Sequence, residues 1–348
     1  MDEIKTGLVG YGSVGEGMHA PLIHHCDGLE LWGVVERHHE KSRQKYPEVT
    51  VFKSLDDLLA SEVELVVIVT PNYLHFEQAK KSLLAGKHVV VDKPLCVTSD
   101  EALELHELAK SKGIILSVFQ NRRWDGDFLT VKDLLKKNHL GRVVHFESHF
   151  DRFRPNPKNH WKEKEHPGSG MLYDLGPHLI DQALVLFGRP DWLYAEVLKQ
   201  RPNATMDDFF EISMKCGDVK VRLTASIYVN APIPRFLILG EKGSFSKYGL
   251  DVQEAALKAG NLPVGTEWGK ESEAYYGVFY GEGSQDQIPT LAGDYRQFYQ
   301  NIFEAIRGQA NLHVASDQVI DGLKVIEACL ESHKSGRRVL AEKIFSNK

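Results

Sequence analysis

Cysteine is scarce in this chain of 348 residues: there are four, Cys26, Cys96, Cys216 and Cys329, far apart in sequence. No C-x-x-C occurs and no zinc-ligand spacing. Neither a disulfide framework nor a metal site is expected, and the thiols read as reduced, in a cytoplasmic protein. Long apolar runs are also missing; none approaches the roughly 20 residues of a membrane span. The start, "MDEIKTGLVGYG", is acidic and then at once strand-like, without a signal-peptide pattern. Positive charge is not in excess either. A net charge of -6 argues against a nucleic-acid footprint, although "QNRRW" (120–124) is a local basic cluster suited to an anion. Repeats and low-complexity segments are absent. What is present is ordinary globular composition, 42% hydrophobic and 26% charged, over a length that accommodates two domains.

The first third alternates strand and helix signals. "KTGLVGYG" is a strand ending in a glycine turn, and "VGEGMHAPLIHHC" follows with helical spacing. "LELWGVVE", the continuously apolar "VELVVIVTP", "HVVVDKP" and "ILSVFQN" are further strands. Between them lie helices, one with Ser54 as its N-cap and one stopping at Gly86. This β-α-β-α order predicts a doubly wound parallel sheet, a Rossmann domain over 1–123. The pattern then changes. A helix near 127–138, an alternating strand "RVVHFESHFDRF", a polar loop "RPNPKNHWKEKEHPGSG" and several closely spaced strands predict an α+β domain over 124–348. Short connections between successive strands predict an antiparallel or mixed sheet there. Two amphipathic helices close the chain.

Gly10-Tyr11-Gly12-Ser13-Val14-Gly15 is a G-x-G-x-x-G that follows a predicted strand and opens a helix. In that context the glycines allow a tight turn and a close backbone approach, and the helix start faces a pyrophosphate. Glu36, at the end of the next strand, is placed to accept from ribose hydroxyls, which favours NAD. Arg37 directly after it is placed to pair a 2′-phosphate, which favours NADP. The choice between the two stays open. "VTPNYLH" (69–75) leaves a buried strand, so Thr70, Pro71, Asn72 and His75 are candidate cofactor contacts, with helix capping the alternative for Asn72 and His75.

Asp92-Lys93-Pro94 ends another predicted parallel strand. Pro94 stops the strand and disfavours helical geometry at Lys93, which would direct the lysine into the ligand crevice. The stretch "MLYDLGPHLIDQAL" (171–184) has helical spacing but contains Gly176-Pro177. A helix starting near Leu175 would explain the proline, with Asp174 as N-cap. The chemical alternative is that Asp174 orients and charges His178 four residues on, while His178 takes a proton from a substrate hydroxyl as hydride leaves the carbinol carbon. Lys93 would then stabilise the developing oxyanion.

Taken together and in order, Gly10-x-Gly12-x-x-Gly15, Thr70-Pro71-Asn72 with His75, "DKP" at 92–94, "QNRRW" and Asp174-x-x-x-His178 resemble the glucose–fructose oxidoreductase/inositol dehydrogenase/MocA (Gfo/Idh/MocA) family over nearly the whole chain. The further stretches "FDRFRP", "HWKEKE" and "GSFSKYGLD" resemble the subgroup with NADP-dependent scyllo-inositol dehydrogenase. The resemblance implies a Rossmann domain followed by an α+β domain with a large, open, mostly antiparallel sheet, and an NAD(P)-dependent oxidoreductase acting on a CH–OH group of a cyclic polyol or sugar, in a homodimer or homotetramer. It implies Lys93, Asp174 and His178 as the catalytic set, Trp161 near the nicotinamide, and Asn121, Arg123 and Arg152 around cofactor or substrate. Asp92 stands where the family has glutamate, one methylene longer, and what residue 92 contributes to the cofactor is open. Keto-sugars and trans-dihydrodiols remain alternative substrates, and a non-catalytic NAD(P) sensor the alternative class.

Overall fold

A computed structural model describes residues 2–157 and 160–346. Lys158 and Asn159, in the polar loop predicted before residue 171, lie outside the described residues. The chain forms two compact units. Their membership is not two consecutive stretches: the first takes Met1–Trp124, Val252–Trp268 and Asp294–Ile320, and the second takes the rest.

The first unit is built on six parallel strands: β1 (Ile4–Val9), β2 (Leu29–Val35), β3 (Thr50–Phe52), β4 (Leu65–Ile68), β5 (His88–Asp92) and β6 (Leu116–Phe119), in the order β3-β2-β1-β4-β5-β6. All four residues of β4 are buried, as a strand covered on both faces requires. The strand order reverses direction next to β1, so the carboxyl ends of β1 and β4 flank the switch point where such sheets bind ligands. The helices are α1 (Ala20–His24), preceded by a π-helical stretch at Gly15–His19, then α2 (Ser42–Lys45), α3 (Leu55–Leu59), α4 (His75–Leu84) and α5 (Ser99–Lys112). Local chemistry fixes several ends. Ser54 Oγ accepts from the Asp57 amide at 3.1 Å and starts α3. Thr98 and Glu101 form a reciprocal capping box at α5. Gly86, at φ 78°, follows the last turn of α4.

The second unit contains α6 (Gly126–Lys136), α7 (Met171–Phe187) and a nine-stranded sheet. The strands are β7 (Val143–His149), β8 (Trp192–Leu198), β9 (Phe209–Cys216), β10 (Val219–Ser226), β11 (Phe236–Gly240), β12 (Gly243–Lys247), β13 (Gly277–Gly281), β14 (Ser284–Ile288) and β15 (Val339–Leu340). All neighbours pair antiparallel except β7 with β10. Strand β9 alternates strictly, with Phe210, Ile212, Met214 and Cys216 buried. Helix α7 packs on β9 and β10 with Leu172, Leu175, Leu179 and Ala183 buried.

Later segments of the first unit form α8 (Gln253–Lys258) and α9 (Arg296–Ile306), and α10 (Ser316–Ser335) is the second predicted C-terminal helix. All four cysteines are free and buried. Burial pushes Cys26 and Cys216 up to about 12, so both are thiols at neutral pH.

Candidate active site

In the first unit the expected residues gather at the carboxyl ends of adjacent strands. After β1 the chain turns at Gly10, whose φ is 103°. A Cβ there would come within 2.7 Å of the Val69 carbonyl oxygen, and a Cβ at Gly15 within 2.1 Å of the Gly10 oxygen. Both positions therefore exclude side chains. At Gly12 a Cβ would meet nothing within 4 Å, and Gly12 and Ser13 are exposed. That open cradle of backbone at a helix start fits a dinucleotide pyrophosphate. Val14 and Tyr11 flank it half-buried. The Tyr11 hydroxyl is kept protonated, its pKa raised first by burial and then by Tyr46, Glu16 and Glu36 nearby.

At the end of β2, Glu36 is buried and faces its own backbone. Its carboxylate accepts from the amides of Lys41 at 3.0 Å and Ser42 at 2.9 Å, and from the Ser42 hydroxyl. Arg37 is exposed.

At the ends of β4 and β5 two loops are tied together. Thr70 Oγ1 donates to Gln78 at 2.7 Å, Pro71 is half-buried and Asn72 is buried in a 3-10 turn. His75 has no exposed surface; its Nε2 lies 2.7 Å from the Thr70 carbonyl oxygen and its Nδ1 2.8 Å from that of Pro94. Burial lowers its pKa, while the two carbonyls and Asp92 pull the other way. With both ring nitrogens facing backbone carbonyl oxygens, His75 does not cap α4. The ring holds the loop after β4 against the loop carrying Lys93. Asn72 is the first residue of that turn, directly after Pro71.

Lys93 is half-buried, directly after the strand, and Pro94 is buried behind it. Asp92 Oδ1 is 3.6 Å from His19 Nε2, and His19 Nδ1 is 2.6 Å from the Tyr299 hydroxyl. His19, Lys93 and His75 hold the Asp92 carboxyl below its ordinary range against the opposing effect of burial. The shorter acid at 92 is thus engaged with His19, on the helix that follows the glycine loop. His19 and Tyr299 carry no motif and were not legible as partners of that strand end.

After β6, Asn121 is buried. The neighbouring arginines are committed to protein groups. Arg122 is buried against Glu254, whose carboxyl the arginine and Lys258 hold at about 2 despite burial. Arg123 Nη1 donates to the His313 carbonyl at 2.8 Å and to Gln318 Oε1 at 2.9 Å. Within the basic cluster "QNRRW", Glu254 balances the charge of Arg122, while Arg123 donates to neutral oxygens.

In the second unit the start of α7 differs from the expectation. The helix begins at Met171, with Gly170 as N-cap at φ 93°, so Asp174 stands inside the first turn and not at the cap. The cap comes from Asp207: its Oδ2 accepts from the Leu172 amide at 2.7 Å and its carbonyl from the Met171 amide at 2.9 Å. A Cβ at Gly170 would lie 1.9 Å from Asp207 Oδ1. Pro177 lies within the helix, with no N–H for the carbonyl four residues back. With the cap supplied elsewhere, the Asp174 carboxylate accepts from Lys162 Nζ at 2.5 Å. One turn later His178 is buried.

Lys162 belongs to the 3-10 turn Trp161–Glu163, and its ammonium is 5.8 Å from the Trp161 ring centroid. The Gly170 amide donates to the Lys162 carbonyl at 2.9 Å, which fixes this turn against α7. Trp161, Lys162, Asp174 and His178 are therefore brought together. Lys162, next to the expected Trp161, was the missed member. Arg152 is half-buried, with its guanidinium 5.4 Å from the Phe150 ring centroid.

Two family models match the chain: an oxidoreductase family NAD-binding Rossmann fold over residues 4–120, and the C-terminal alpha/beta domain of the same family over residues 132–340. The chain belongs to the Gfo/Idh/MocA oxidoreductase family. Among family relatives, the uncharacterized oxidoreductase YdgJ of Escherichia coli is 42% identical over 96% of this chain and 97% of its own. The scyllo-inositol 2-dehydrogenase (NADP(+)) IolW of Bacillus subtilis is 37% identical over 98% and 97%. The crystallised oxidoreductase YvaA of Bacillus subtilis superposes with a TM-score of 0.95 at 38% identity, covering 97% of this chain and 98% of that one. As a Gfo/Idh/MocA protein the chain is an NAD(P)-binding oxidoreductase. The cradle at Gly12 is the feature of this structure that suits that cofactor.

Proposed function

We propose that this chain is a dehydrogenase for a secondary alcohol of a cyclic polyol or sugar, inositol-like in class. The observation that carries the reading is chemical. The Rossmann unit presents a lysine at a parallel strand end, and the other unit presents a buried histidine one helical turn from an aspartate. The glycine cradle holds the pyrophosphate, and the nicotinamide, when bound, accepts or returns the hydride. His178 takes the hydroxyl proton during oxidation and gives it back during reduction. Lys93 donates a hydrogen bond to the oxygen whose charge develops. Asp174 favours the imidazolium that His178 becomes, and Lys162 holds the Asp174 carboxylate in place. Trp161 offers an aromatic face beside this group, suited to a ring-shaped substrate or to the nicotinamide. Asn121 and Arg152 are assigned to cofactor and substrate contacts. Arg123 is assigned to the same contacts, with its guanidinium steadied by the His313 carbonyl and Gln318.

Two relatives support the substrate class. IolW is named for a cyclic polyol. A Bacillus subtilis relative, 27% identical over 60% of this chain, is named a glucose-6-phosphate 3-dehydrogenase, also acting at a ring alcohol. The test is a panel of inositols, aldoses, sugar acids and trans-dihydrodiols with NAD and NADP, followed by absorbance of reduced nicotinamide. Turnover concentrated on ring polyols or sugars is expected. Turnover confined to dihydrodiols would contradict the substrate class, and cofactor binding without turnover on any substrate would favour a sensor.

A further inference from the structure

Next to Lys93 the Rossmann unit holds a buried chain of polar side chains. Asp92, the last residue of β5, pairs in register with Phe119, the last residue of β6. His19 closes over these two strand ends: its ring centroid is 4.3 Å from that of Phe119, and its Nε2 is 3.6 Å from Asp92 Oδ1. The residue has no exposed surface and ends the π-helical stretch that starts at Gly15, the third glycine of the turn. On the other edge of the ring, Nδ1 is 2.6 Å from the Tyr299 hydroxyl on α9. Burial, then Asp92 and Cys26, raise the Tyr299 pKa well above its ordinary value, so the hydroxyl keeps its proton. A hydroxyl can donate or accept, whereas a carboxylate only accepts. Nε2, which faces the carboxylate, therefore carries a proton, and in the neutral ring Nδ1 is the acceptor for the Tyr299 proton. Nε2 has no hydrogen-bond partner among the described residues, and the Asp92 oxygen lies about 0.5 Å beyond hydrogen-bond length. A buried donor so placed draws the carboxylate toward it.

We propose that His19, oriented by Tyr299, is a positioning residue for Lys93: it holds the Asp92 carboxylate at the end of β5 and so fixes the backbone from which the lysine reaches the substrate oxygen. This rests on the reading of Lys93 as the donor to that oxygen. Consecutive side chains of a strand point to opposite faces, so an anchored Asp92 sets the direction of the residue after it. The far side of Lys93 is secured in the same way, because His75 Nδ1 lies 2.8 Å from the Pro94 carbonyl oxygen. The lysine is thus anchored through both of its neighbours, each by a histidine with no exposed surface.

The test combines steady-state kinetics with nitrogen NMR spectra of the full chain carrying isotope-labelled histidine. Without added cofactor, the His19 signals, assigned by their loss in His19→Phe, should show a protonated Nε2 and a bare, hydrogen-bonded Nδ1. The opposite tautomer would overturn the inference. His19→Phe keeps an aromatic ring against Phe119 and removes both polar contacts. It should lower kcat by on the order of 10- to 10²-fold and leave the affinities for NADH and NADPH within about 3-fold. Tyr299→Phe removes the hydroxyl alone and should lower kcat by about 3- to 10-fold. Because His19 acts through Asp92, the double variant His19→Phe/Asp92→Asn should be no slower than Asp92→Asn alone, within about 3-fold. Losses that multiply, or a kcat of His19→Phe close to that of the parent, would overturn the inference and leave His19 a packing residue. Should His19→Phe fail to fold, the same cycle built on Tyr299→Phe decides. Turnover of Lys93→Ala at the parent rate would defeat the reading of the lysine itself, an outcome distinct from an inactive Lys93→Ala beside an unaffected His19→Phe.

Discussion

Glu36 and Asp174 are carboxylates that each stand by a helix start, and the two regions use them in opposite ways. In the Rossmann unit Glu36 points both oxygens at the first amides of α2 and the residue before it. In the other unit the first amides of α7 are satisfied by Asp207, 35 residues further along the chain, and Asp174 instead holds a lysine. The comparison shows that a carboxylate's function depends on who satisfies the neighbouring backbone. Where the acid does so itself, it shapes a loop. Where a distant residue does so, the acid is free to hold a side chain, here Lys162.

The largest expected effect breaks the comparison most directly. Asp174→Ala should lower turnover by on the order of 10²-fold while leaving the thermal midpoint nearly unchanged. Glu36→Ala should do the reverse, costing roughly 1–3 kcal/mol of stability through the stranded amides and leaving turnover at saturating NADPH within about 3-fold. The same pattern in both variants, by steady-state kinetics and calorimetry, would remove the distinction.

A second prediction sharpens the α7 side. Burial pushes Asp207 up to about 6 from its ordinary 3.8, against the amides it accepts. The folded state thus holds this proton more tightly than the unfolded chain. Its favourable contribution is full below about pH 4 and is lost as pH rises through about 6. Stability of the parent relative to Asp207→Asn should therefore fall by roughly 2–3 kcal/mol between those values, measured by denaturant unfolding at each pH. A difference that stays flat would contradict the buried, proton-holding cap.

The smallest effect lies on the β2 side. Ser42→Ala removes one of the three bonds to Glu36 and should cost about 1 kcal/mol. A loss in NADH affinity alone would point to Glu36 facing the ribose.

The legible features were those whose cause is local. The glycine spacing, the apolar β4, the Ser54 cap and the stop at Gly86 each depend on a few neighbouring residues, and the parallel sheet follows from their order. The alternation of β9 likewise announces its buried face. What sequence did not disclose depends on distant partners. Local reasoning placed Asp174 at a cap because nothing in "MLYDLGPHL" reveals Asp207. The bonds that Glu36 accepts from residues 41–42 stayed hidden because the turn there has no signature. His75 sits between two carbonyl oxygens, which every residue carries, and so its place between the two loops left no trace in residue identity. Lys162 stood beside a residue already singled out, but only the fold brings it to Asp174.

The central claim is that Lys93 and His178 perform acid–base chemistry on a substrate alcohol bound with a nicotinamide. It is tested most directly by measuring, for Lys93→Ala and His178→Ala on the best substrate of the panel, both turnover and NADPH affinity. The account predicts a loss of turnover of on the order of 10²–10⁴-fold in each variant with NADPH affinity nearly unchanged. Turnover close to that of the parent in either variant would contradict it.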